Sequence, residues 1–366
     1  MRGILTDLEL HYVRSHTSAQ FQFAHDMNAI VGPNGSGKTT LLEALYTLLR
    51  GTSFKGPINE LVQYGQPQMK MSTTLTGDRT KHQRSLKVQL SESAGLRKWS
   101  IDNKNHARLP LAARLPVVLF EPELSRLVTG SPQRRRDYLD HIAAQLDIEV
   151  ATEQNKYVRI LKQRNQLLKS LRDKKVHNAP PDLFIWNTQL AHSAESVVKA
   201  RTNVIEKLQE RISDHYRGLG GTDDIVLLYA SDVSKNATSY ASKLLQYFES
   251  SLMRDIALGH TSFGPHRDDL VVHLASQPAT ERASRGEVRT IVVALKMLET
   301  QLLSERFKPE NISPILLLDD VLSELDLSHQ ERVLDGLKDH QVFITTTDAH
   351  ALTPQVHTIF LESPPS

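Results

Sequence analysis

Hydrophobic and polar residues alternate along the first 31 residues of the chain. The stretches ILTDLEL and FQFA have a two-residue period, and MNAIV ends at a glycine-rich loop. Such alternation is typical of strands that bury one face. After the loop, TLLEALYTLL places leucines at positions 41, 42, 45, 48 and 49, which is the spacing of one helical face. The pattern therefore predicts strands, then a loop, then a helix.

A second alternating region covers residues 69 to 101. MKMSTTLTG, RSLKVQLSE and LRKWSID each alternate, and Gly77, Gly95 and polar residues separate them. Short alternating segments joined by turns are typical of an antiparallel meander, whereas a strand, loop and helix in succession favour a parallel sheet. We therefore expect the first lobe of the protein to contain both kinds of sheet.

Residues 132 to about 216 have a helical pattern that is interrupted once, at HNAPPD. Pro180 and Pro181 cannot continue a helix interior, so they mark a turn. Apolar residues recur at intervals of three, four or seven positions, namely Tyr157, Leu161, Leu168 and Leu171 before the break and Trp186, Leu190, Val197, Val204, Leu208 and Ile212 after it. The pattern predicts a short antiparallel helical hairpin that packs as a subdomain, in preference to a long rod.

The composition limits the class of protein. The chain has 366 residues, which exceeds the usual size of one compact core and favours two domains. Lys and Arg number 44 against 42 Asp and Glu, so attraction to nucleic acid requires a local patch. The chain contains no cysteine. It also contains no apolar run that approaches the length of about 20 residues needed to span a bilayer. We therefore expect a soluble cytoplasmic protein with no membrane partner.

The stretch VGPNGSGKTT predicts a phosphate-binding loop. Gly32, Gly37, Lys38 and Thr39 match a pattern in which glycines let the backbone close on phosphates at a helix N-terminus. We expect Lys38 to reach the β and γ phosphates and to serve catalysis, and the Thr39 hydroxyl to bind Mg²⁺. The predicted nucleotide-binding residues of the loop are Gly32, Pro33, Asn34, Gly35, Ser36, Gly37, Lys38, Thr39 and Thr40.

A second acidic motif, PILLLDDVLSELD, follows a short apolar run that predicts a buried strand. Asp319 ends this strand and is predicted to bind the metal ion. Asp320 follows directly and is predicted to polarise the attacking water. Two adjacent acids disfavour joint ionisation unless a cation lies beside them, which supports the metal site.

Between these motifs lies ASRGEVRTIVVALKMLE, in which Ser284 and Gly286 precede a predicted helix. A hydroxyl and bare N–H groups at the positive end of a helix favour a phosphate. One nucleotide cannot fill two complete sites of one chain, so we expect Ser284 and Gly286 to cover the γ phosphate held by another subunit. The alternative is an ordinary helix cap at Ser284.

The order of these motifs resembles the ABC-type ATPase heads of the SMC kind. Three further stretches resemble the RecF family in particular: VVLFEPELSRLVTGSPQRRRDYLD, FGPHRDDL and ASRGEVRT. The resemblance covers nearly the whole chain, from residue 28 to residue 348. It implies an α/β fold, namely an ABC-type P-loop ATPase head with a mixed β-sheet lobe and a helical-hairpin second lobe.

With this resemblance the chain divides into three segments. Residues 1–131 form the N-terminal part of the ATPase lobe, with the phosphate loop and the meander. Residues 132–217 form the helical second lobe. Residues 218–366 form the C-terminal part of the ATPase lobe, with the remaining motifs.

The resemblance also implies roles for further residues. Asp348, after VFITTT, would occupy the catalytic switch position, and residues 323–326 would form a loop at a dimer interface. Arg14 would touch the base or a phosphate. Transporter heads carry a metal-sensing glutamine where this chain reads FEPELS, so Glu121, Glu123 or neither replaces it. Transporter heads usually have Glu at the position of Asp320. Because Asp is shorter by one methylene group, we expect this chain to hydrolyse ATP slowly.

The function implied by the resemblance is that of an ATP-dependent DNA-binding protein of recombinational repair. It would use ATP and Mg²⁺, form a homodimer on ATP, and hydrolyse ATP weakly in response to DNA. It would recognise double-stranded DNA or single-strand gap junctions and load RecA together with RecR and RecO.

Two other functions share the nucleotide motifs, namely the ATPase subunit of a transporter and a structural tether of the SMC kind.

Two groups of basic residues are candidate DNA contacts in this sequence. These groups are Arg79, Lys81, Arg84 and Lys87 in the meander, and residues 134–136 at the start of the helical region.

Overall fold

The computed structural model describes residues 3–77, 80–90, 95–122, 124–175, 180–233, 239–325, 327–348 and 356–362. The chain forms two compact units. The first comprises Met1–Leu124 and Glu299–Ser366, and the second comprises Ser125–Leu298. The second unit thus takes in residues 218–298, which the three-segment division assigns to the ATPase lobe; that division stays a prediction.

The elements are numbered in chain order within the described residues. The strands are β1 (Ile4–Leu5), β2 (Asp7–Val13), β3 (His16–Gln22), β4 (Met27–Val31), β5 (Gln68–Thr76), β6 (Lys81–Gln89), β7 (Leu96–Ile101), β8 (Lys104–His106), β9 (Val117–Phe120), β10 (Ile225–Ala230), β11 (Asp269–Leu274), β12 (Gln277–Pro278), β13 (Ile315–Asp319), β14 (Val342–Thr346) and β15 (His357–Phe360). The helices are α1 (Lys38–Arg50), α2 (Arg126–Thr129), α3 (Pro132–Leu146), α4 (Ile148–Asp173), α5 (Pro181–Gln209), α6 (Ile212–Gly218), α7 (Tyr240–Ser250), α8 (Leu252–Leu258), α9 (Ala279–Arg282), α10 (Arg285–Phe307) and α11 (Leu327–Leu337).

A parallel sheet of order β15-β4-β14-β13-β9 lies in the first unit. All five residues of β13 are buried, as the apolar run before Asp319 predicts. Parallel strands need both faces covered, which explains why β9, β13 and β14 are buried throughout. The carboxyl ends of β4, β13 and β14 share one edge, where Asp319 pairs with Thr345 and Val31 pairs with Thr346. This edge carries the phosphate loop.

The first unit also contains a seven-stranded antiparallel sheet of order β3-β2-β5-β6-β7-β8, with β1 paired to β5. It confirms the predicted meander and the mixed character of this lobe. Four register partners, Leu10, Met71, Leu86 and Trp99, form a buried row across the inner face. These cross-strand apolar contacts stabilise the sheet against the core.

The prediction that Arg84 is a candidate DNA contact is wrong. It is only 6% exposed, and its guanidinium donates hydrogen bonds to Leu48 O at 3.1 Å and Ala113 O at 2.7 Å. Burial lowers the pKa of this guanidinium to about 10. Lys81 and Lys87 of the same group are exposed, whereas Arg79 lies outside the described residues. Arg84 therefore ties β6 to the core and does not belong to an exposed basic face.

The second unit contains the predicted helical hairpin. Late residues of α4, Leu168 and Leu171, pack with Leu183 at the start of α5, and the earlier Tyr157 packs with Leu190. The two helices therefore run antiparallel. Pro180 is the N-cap of α5 and Pro181 its first residue, where a missing N–H costs nothing.

The hairpin is fixed to the rest of the unit by a buried ion pair. Arg164 of α4 donates to Asp255 of α8 at 2.9 Å, and both side chains are fully buried. Arg164 also donates to Asn187 and Thr261 at 2.7 Å, and it lies 4.3 Å from the ring centre of Phe248. The polar partners compensate part of the cost of removing the charges from water.

Hydrogen bonds also hold the sequence motif FGPHRDDL at residues 263–270. Arg201 donates to Pro265 O at 2.6 Å, and the Tyr157 hydroxyl oxygen lies 2.6 Å from the His266 ring nitrogen Nδ1. Burial lowers the pKa of His266 to about 4. Arg135 pairs with both carboxylate oxygens of Asp269 at 2.8 Å and is 9% exposed. Arg135 is therefore internal and Arg136 donates to Asp268 O, so residues 134–136 do not form the exposed basic group that was a candidate DNA contact.

We expect the Asp255→Ala substitution to lower the free energy of unfolding of the protein by about 3–5 kcal/mol, because it leaves the Arg164 charge buried and unpaired. Urea denaturation followed by tryptophan fluorescence and circular dichroism measures the change. Asp214→Ala is the matched control, since it removes an exposed ion pair with Arg217 in the same unit. Equal midpoints for the two variants would contradict this role of the buried pair.

The helices that the structure describes include none with the length and hydropathy of a membrane span.

Candidate nucleotide-binding site

The phosphate loop joins β4 to α1 and depends on its glycines. Gly37 is the N-cap of α1 and has a φ angle of 94°, and Gly35 has a φ of 84°, a backbone region that side chains disfavour. A Cβ atom on Gly37 would lie 2.4 Å from His16 Nε2. Both the backbone conformation and the adjacent hairpin of β2 and β3 therefore require glycine at this position.

Lys38 lies inside the loop. Its Nζ donates to Gly32 O at 2.7 Å and to Pro33 O at 3.0 Å, and the residue is 8% exposed. The Ser36 hydroxyl oxygen is buried and has no hydrogen-bond partner within the described chain. An ammonium and an unsatisfied hydroxyl beside a helix N-terminus form a site suited to an anion.

Asp319 is brought to this loop by the parallel sheet. Its Oδ1 accepts hydrogen bonds from Thr39 Oγ1 at 2.8 Å and from Thr345 Oγ1 at 2.9 Å. Its Oδ2 is buried and has no hydrogen-bond partner among the described residues. A buried carboxylate oxygen without a donor is costly unless it binds a cation, and Mg²⁺ prefers oxygen ligands of this kind. The residues present therefore fit the predicted metal site of Thr39 and Asp319.

Asp320 follows in a left-handed conformation with a φ of 51°. Its backbone N–H donates to the Thr345 hydroxyl at 2.8 Å, and its side chain is half-buried. Such a conformation costs energy for a residue with a side chain, so the hydrogen bond to Thr345 helps to maintain it. Sequence reasoning missed Thr345, because its role depends on β14 lying beside β13.

A cavity of about 440 Å³ covers this edge of the sheet. Among the predicted residues it is lined by Arg14, Asn34, Gly35, Gly37, Lys38, Thr39, Thr40, Asp319 and Asp320. Gly32 and Pro33 contribute the carbonyls that bind Lys38. Ser15, Lys55, Pro122 and Thr345 complete the lining and were not predicted. Lys55 is exposed and adds a cation, but no motif in the sequence marks it.

Arg14 lies at the turn between β2 and β3, with a φ of 45°. Its Nη2 is 2.9 Å from both carboxylate oxygens of Glu43, a fully buried residue of α1. The Ser53 hydroxyl also donates to Glu43. These contacts fix the hairpin to the helix that follows the phosphate loop, and the arginine side chain remains 30% exposed.

Other predicted residues lie outside the cavity lining. Asp348 is exposed beyond the end of β14, where its N–H donates to Thr346 Oγ1 at 3.1 Å. Glu121 is half-buried after β9, whereas Glu123 and Asp326 lie outside the described residues. The roles of Asp348 and Glu121 stay predictions.

Ser284 and Gly286 belong to the second compact unit. Ser284 precedes α10, and its N–H donates to Glu287 Oε2 at 2.7 Å while the Glu287 N–H lies 3.3 Å from Ser284 Oγ. This reciprocal arrangement is a capping box. Gly286 lies within the first turn of α10 and does not precede the helix as the sequence suggested. Both residues are exposed, so capping accounts for Ser284 locally and leaves room for a second partner.

Comparisons with known proteins find relatives over nearly the whole chain. The model of the RecF/RecN/SMC N terminal domain matches residues 4–360. The DNA replication and repair protein RecF of Geobacter sp. (strain M21) is 33% identical over 354 residues, covering 94% of this chain and 93% of the relative. The protein of the same name from Desulforamulus reducens is 34% identical over 347 residues, covering 93% and 91%.

Solved structures show the same relation. A structure of the recombination mediator protein RecF with ATP in the RecFOR pathway matches with a TM-score of 0.87 and 25% identity, covering 100% of this chain and 97% of the other. An SmcHead bound to the C-winged helix domain of ScpA matches with a TM-score of 0.56 and 16% identity, covering 98% and 93%, which shows the fold alone. The predicted ATPase-head fold is thereby confirmed, and the chain belongs to the RecF family, whose members are SMC-like ABC-type ATPases.

Proposed function

We propose that the chain is an ATP-dependent DNA-binding protein of recombinational repair, which uses ATP binding to dimerise and slow hydrolysis to release DNA. The observation that carries the ATPase part is the Asp319 carboxylate, hydrogen-bonded to Thr39 through one oxygen and unpartnered at the other. The arrangement suits a nucleotide-bound metal ion. The related structures with ATP and with ATPγS support ATP as the nucleotide.

Each residue of the site has a role in this proposal. Lys38 and the N–H groups of the loop bind the phosphates, and Asp319 with Thr39 would hold Mg²⁺. Bound there, Mg²⁺ would supply positive charge to balance the negative charge of the phosphates. Asp320 orients the attacking water from its position beside Thr345 and accepts its proton. Arg14 and Lys55 add positive charge at the cavity wall.

The position of Ser284 and Gly286 supports the proposed dimer. Both are exposed at the N-terminus of a 23-residue helix, where an anion is stabilised. In the proposed dimer these groups of one copy contact the γ phosphate bound by the other copy. ATP then shifts the monomer–dimer equilibrium because its γ phosphate binds both copies, whereas ADP lacks that contact.

DNA and protein partners complete the proposal. The relatives act in replication and repair by name, and one matched structure belongs to the RecFOR pathway. We therefore assign double-stranded DNA and single-strand gap junctions as ligands, RecR with RecO as partners, and RecA as the protein loaded. A tether function requires long rods, but α4 and α5 have 26 and 29 residues and extend only about 40 Å at 1.5 Å per residue.

Binding to a gapped duplex tests the proposal. We expect affinity measured by fluorescence anisotropy to be higher with Mg²⁺-ATP than with ADP or no nucleotide, and to fall with salt in all three conditions. Lys38→Ala is the control, since it should remove the difference between ATP and ADP. Equal affinity of the unmodified protein for the gapped duplex in all three nucleotide conditions would contradict ATP-controlled binding to DNA.

A further inference from the structure

Three lysines lie side by side on the outer face of the seven-stranded sheet. Lys70 of β5 is the register partner of Lys87 of β6, and Lys87 is the register partner of Lys98 of β7. All three side chains are exposed, and His11 of β2, also exposed, continues the row as the partner of Lys70. We call Lys70, Lys87 and Lys98 the lysine row.

The lysine row does not help the sheet to fold. Directly opposite residues of antiparallel strands have Cβ atoms about 4.5–5.5 Å apart, and like charges there are destabilising. None of the three ammonium groups has a hydrogen bond or ion pair to another described residue. Lysines often protect edge strands from aggregation. Lys98 has a register partner on β6 but not on β8, which pairs with residues 99–101, whereas Lys70 has partners on β2 and β6 and Lys87 has partners on β5 and β7. The repulsion therefore needs another explanation.

The rows beside the lysine row are mainly polar, although one includes the carboxylate of Glu9 and the other ends at Leu96. One adjacent row contains Ser72, Ser85 and Ser100, and the other contains Gln68 and Gln89. The nearby carboxylate of Glu9 already accepts hydrogen bonds from Ser72 at 3.1 Å and Gln20 at 3.4 Å. This part of the face thus combines cations with hydroxyl and amide groups, which are the groups that contact phosphates in nucleic-acid complexes.

The same face is unsuited to most protein partners. Protein interfaces are enriched in aromatic residues and depleted in lysine, whereas interfaces with DNA are strongly positive. Among the described outward-facing positions of β5, β6 and β7, none is aromatic, and Leu96 is the one large apolar residue. Without aromatic side chains the face cannot stack unpaired bases, which single-stranded nucleic acid favours.

We propose that the lysine row binds backbone phosphates of double-stranded DNA independently of sequence. This inference rests on the proposed function and adds the surface by which duplex DNA is held. The lysines lie on three paired strands of a sheet, so their relative positions are fixed by the backbone hydrogen bonds.

The test compares two triple variants with the same net charge. The first carries Lys70→Gln, Lys87→Gln and Lys98→Gln, and the second carries Lys162→Gln, Lys308→Gln and Lys338→Gln at exposed positions elsewhere. We expect loss of the lysine row to make the plot of log affinity against log salt shallower by about 2.7, and to weaken duplex binding by about two orders of magnitude near 0.1 M salt. The second variant should keep the slope of the unmodified protein.

Two further measurements distinguish the outcomes. The urea midpoint of the lysine-row variant should equal or exceed that of the unmodified protein, because its repulsion is gone; a lower midpoint would overturn the energetic argument. The assignment to duplex DNA would be overturned if the lysine-row variant lost more affinity for an oligo-dT strand than for the duplex. It would also be overturned if the variant lost affinity for poly-glutamate but not for DNA. If the unmodified protein binds duplex DNA and the lysine-row variant has the same salt slope, the role of the lysine row in DNA binding is refuted, but the proposed function is not. If the unmodified protein does not bind duplex DNA at all, the proposed function is refuted.

Discussion

ATP hydrolysis by the Asp319→Asn protein should be slower by about 10²- to 10³-fold, the usual effect of removing one preorganised electrostatic group from a reacting centre. The substitution retains the shape of the side chain and an oxygen that can accept from Thr39 and Thr345. It replaces the unpartnered Oδ2 by an amide nitrogen, which cannot bind a cation. Steady-state phosphate release, measured over a range of Mg²⁺ concentrations, checks the prediction.

Thr345→Val is the matched control for this experiment. It removes one of the two hydroxyl groups that donate to Asp319 Oδ1, and with it the acceptor of the Asp320 N–H, but it leaves the carboxylate charge in place. We expect a smaller loss of activity, since two positioning hydrogen bonds are removed and a metal ligand is not. If Asp319→Asn hydrolysed ATP at the original rate with the original Mg²⁺ dependence, the metal would have to bind elsewhere.

The Ser284→Asp protein should remain monomeric at concentrations of a nonhydrolysable ATP analogue that convert the unmodified protein to dimers. Aspartate caps a helix as well as serine does, so α10 should stay intact. In the dimer, however, the new carboxylate would face the γ phosphate of the other copy. Two like unit charges at 4 Å repel by about 4 kcal/mol near a protein surface, and a symmetric dimer contains two such sites. Sedimentation velocity measures the outcome.

Ser284→Asn separates the charge from the change of side chain, because asparagine also caps well but is neutral. This variant should dimerise more readily than Ser284→Asp, and Ser284→Arg should fail to dimerise because of its size. All three chains should still bind a fluorescent ATP analogue as monomers. Loss of that binding would show that the segment serves the fold of the chain and would remove the support for a shared site.

The sequence predicts the parts of the site that local patterns determine. The glycine spacing marks the loop around Lys38, and the apolar run before Asp319 marks a buried strand, so both halves of the site were identified. The exposed serine before α10 was identified as well. These features depend on residues close together in the chain.

What the sequence did not predict depends on which strands lie next to each other. Thr345 bonds Asp319 because β14 pairs with β13, and the lysine row exists because β5, β6 and β7 share one register. Periodicity alone does not set a register. Arg84 is different, because it shares the parity of Leu86 and Val88 in KHQRSLKVQ, and strict use of that alternation would have placed it inside.

The order of strands in the parallel sheet determines when the protein can fold during synthesis. The neighbours of β4 are β14 and β15, so an early segment of the chain must wait for two of the last strands to leave the ribosome. The second compact unit is continuous from Ser125 to Leu298, so it has all its residues much sooner. A nascent chain therefore holds a complete helical unit while the apolar strand β4 still lacks partners, and such unpaired strands are prone to aggregate.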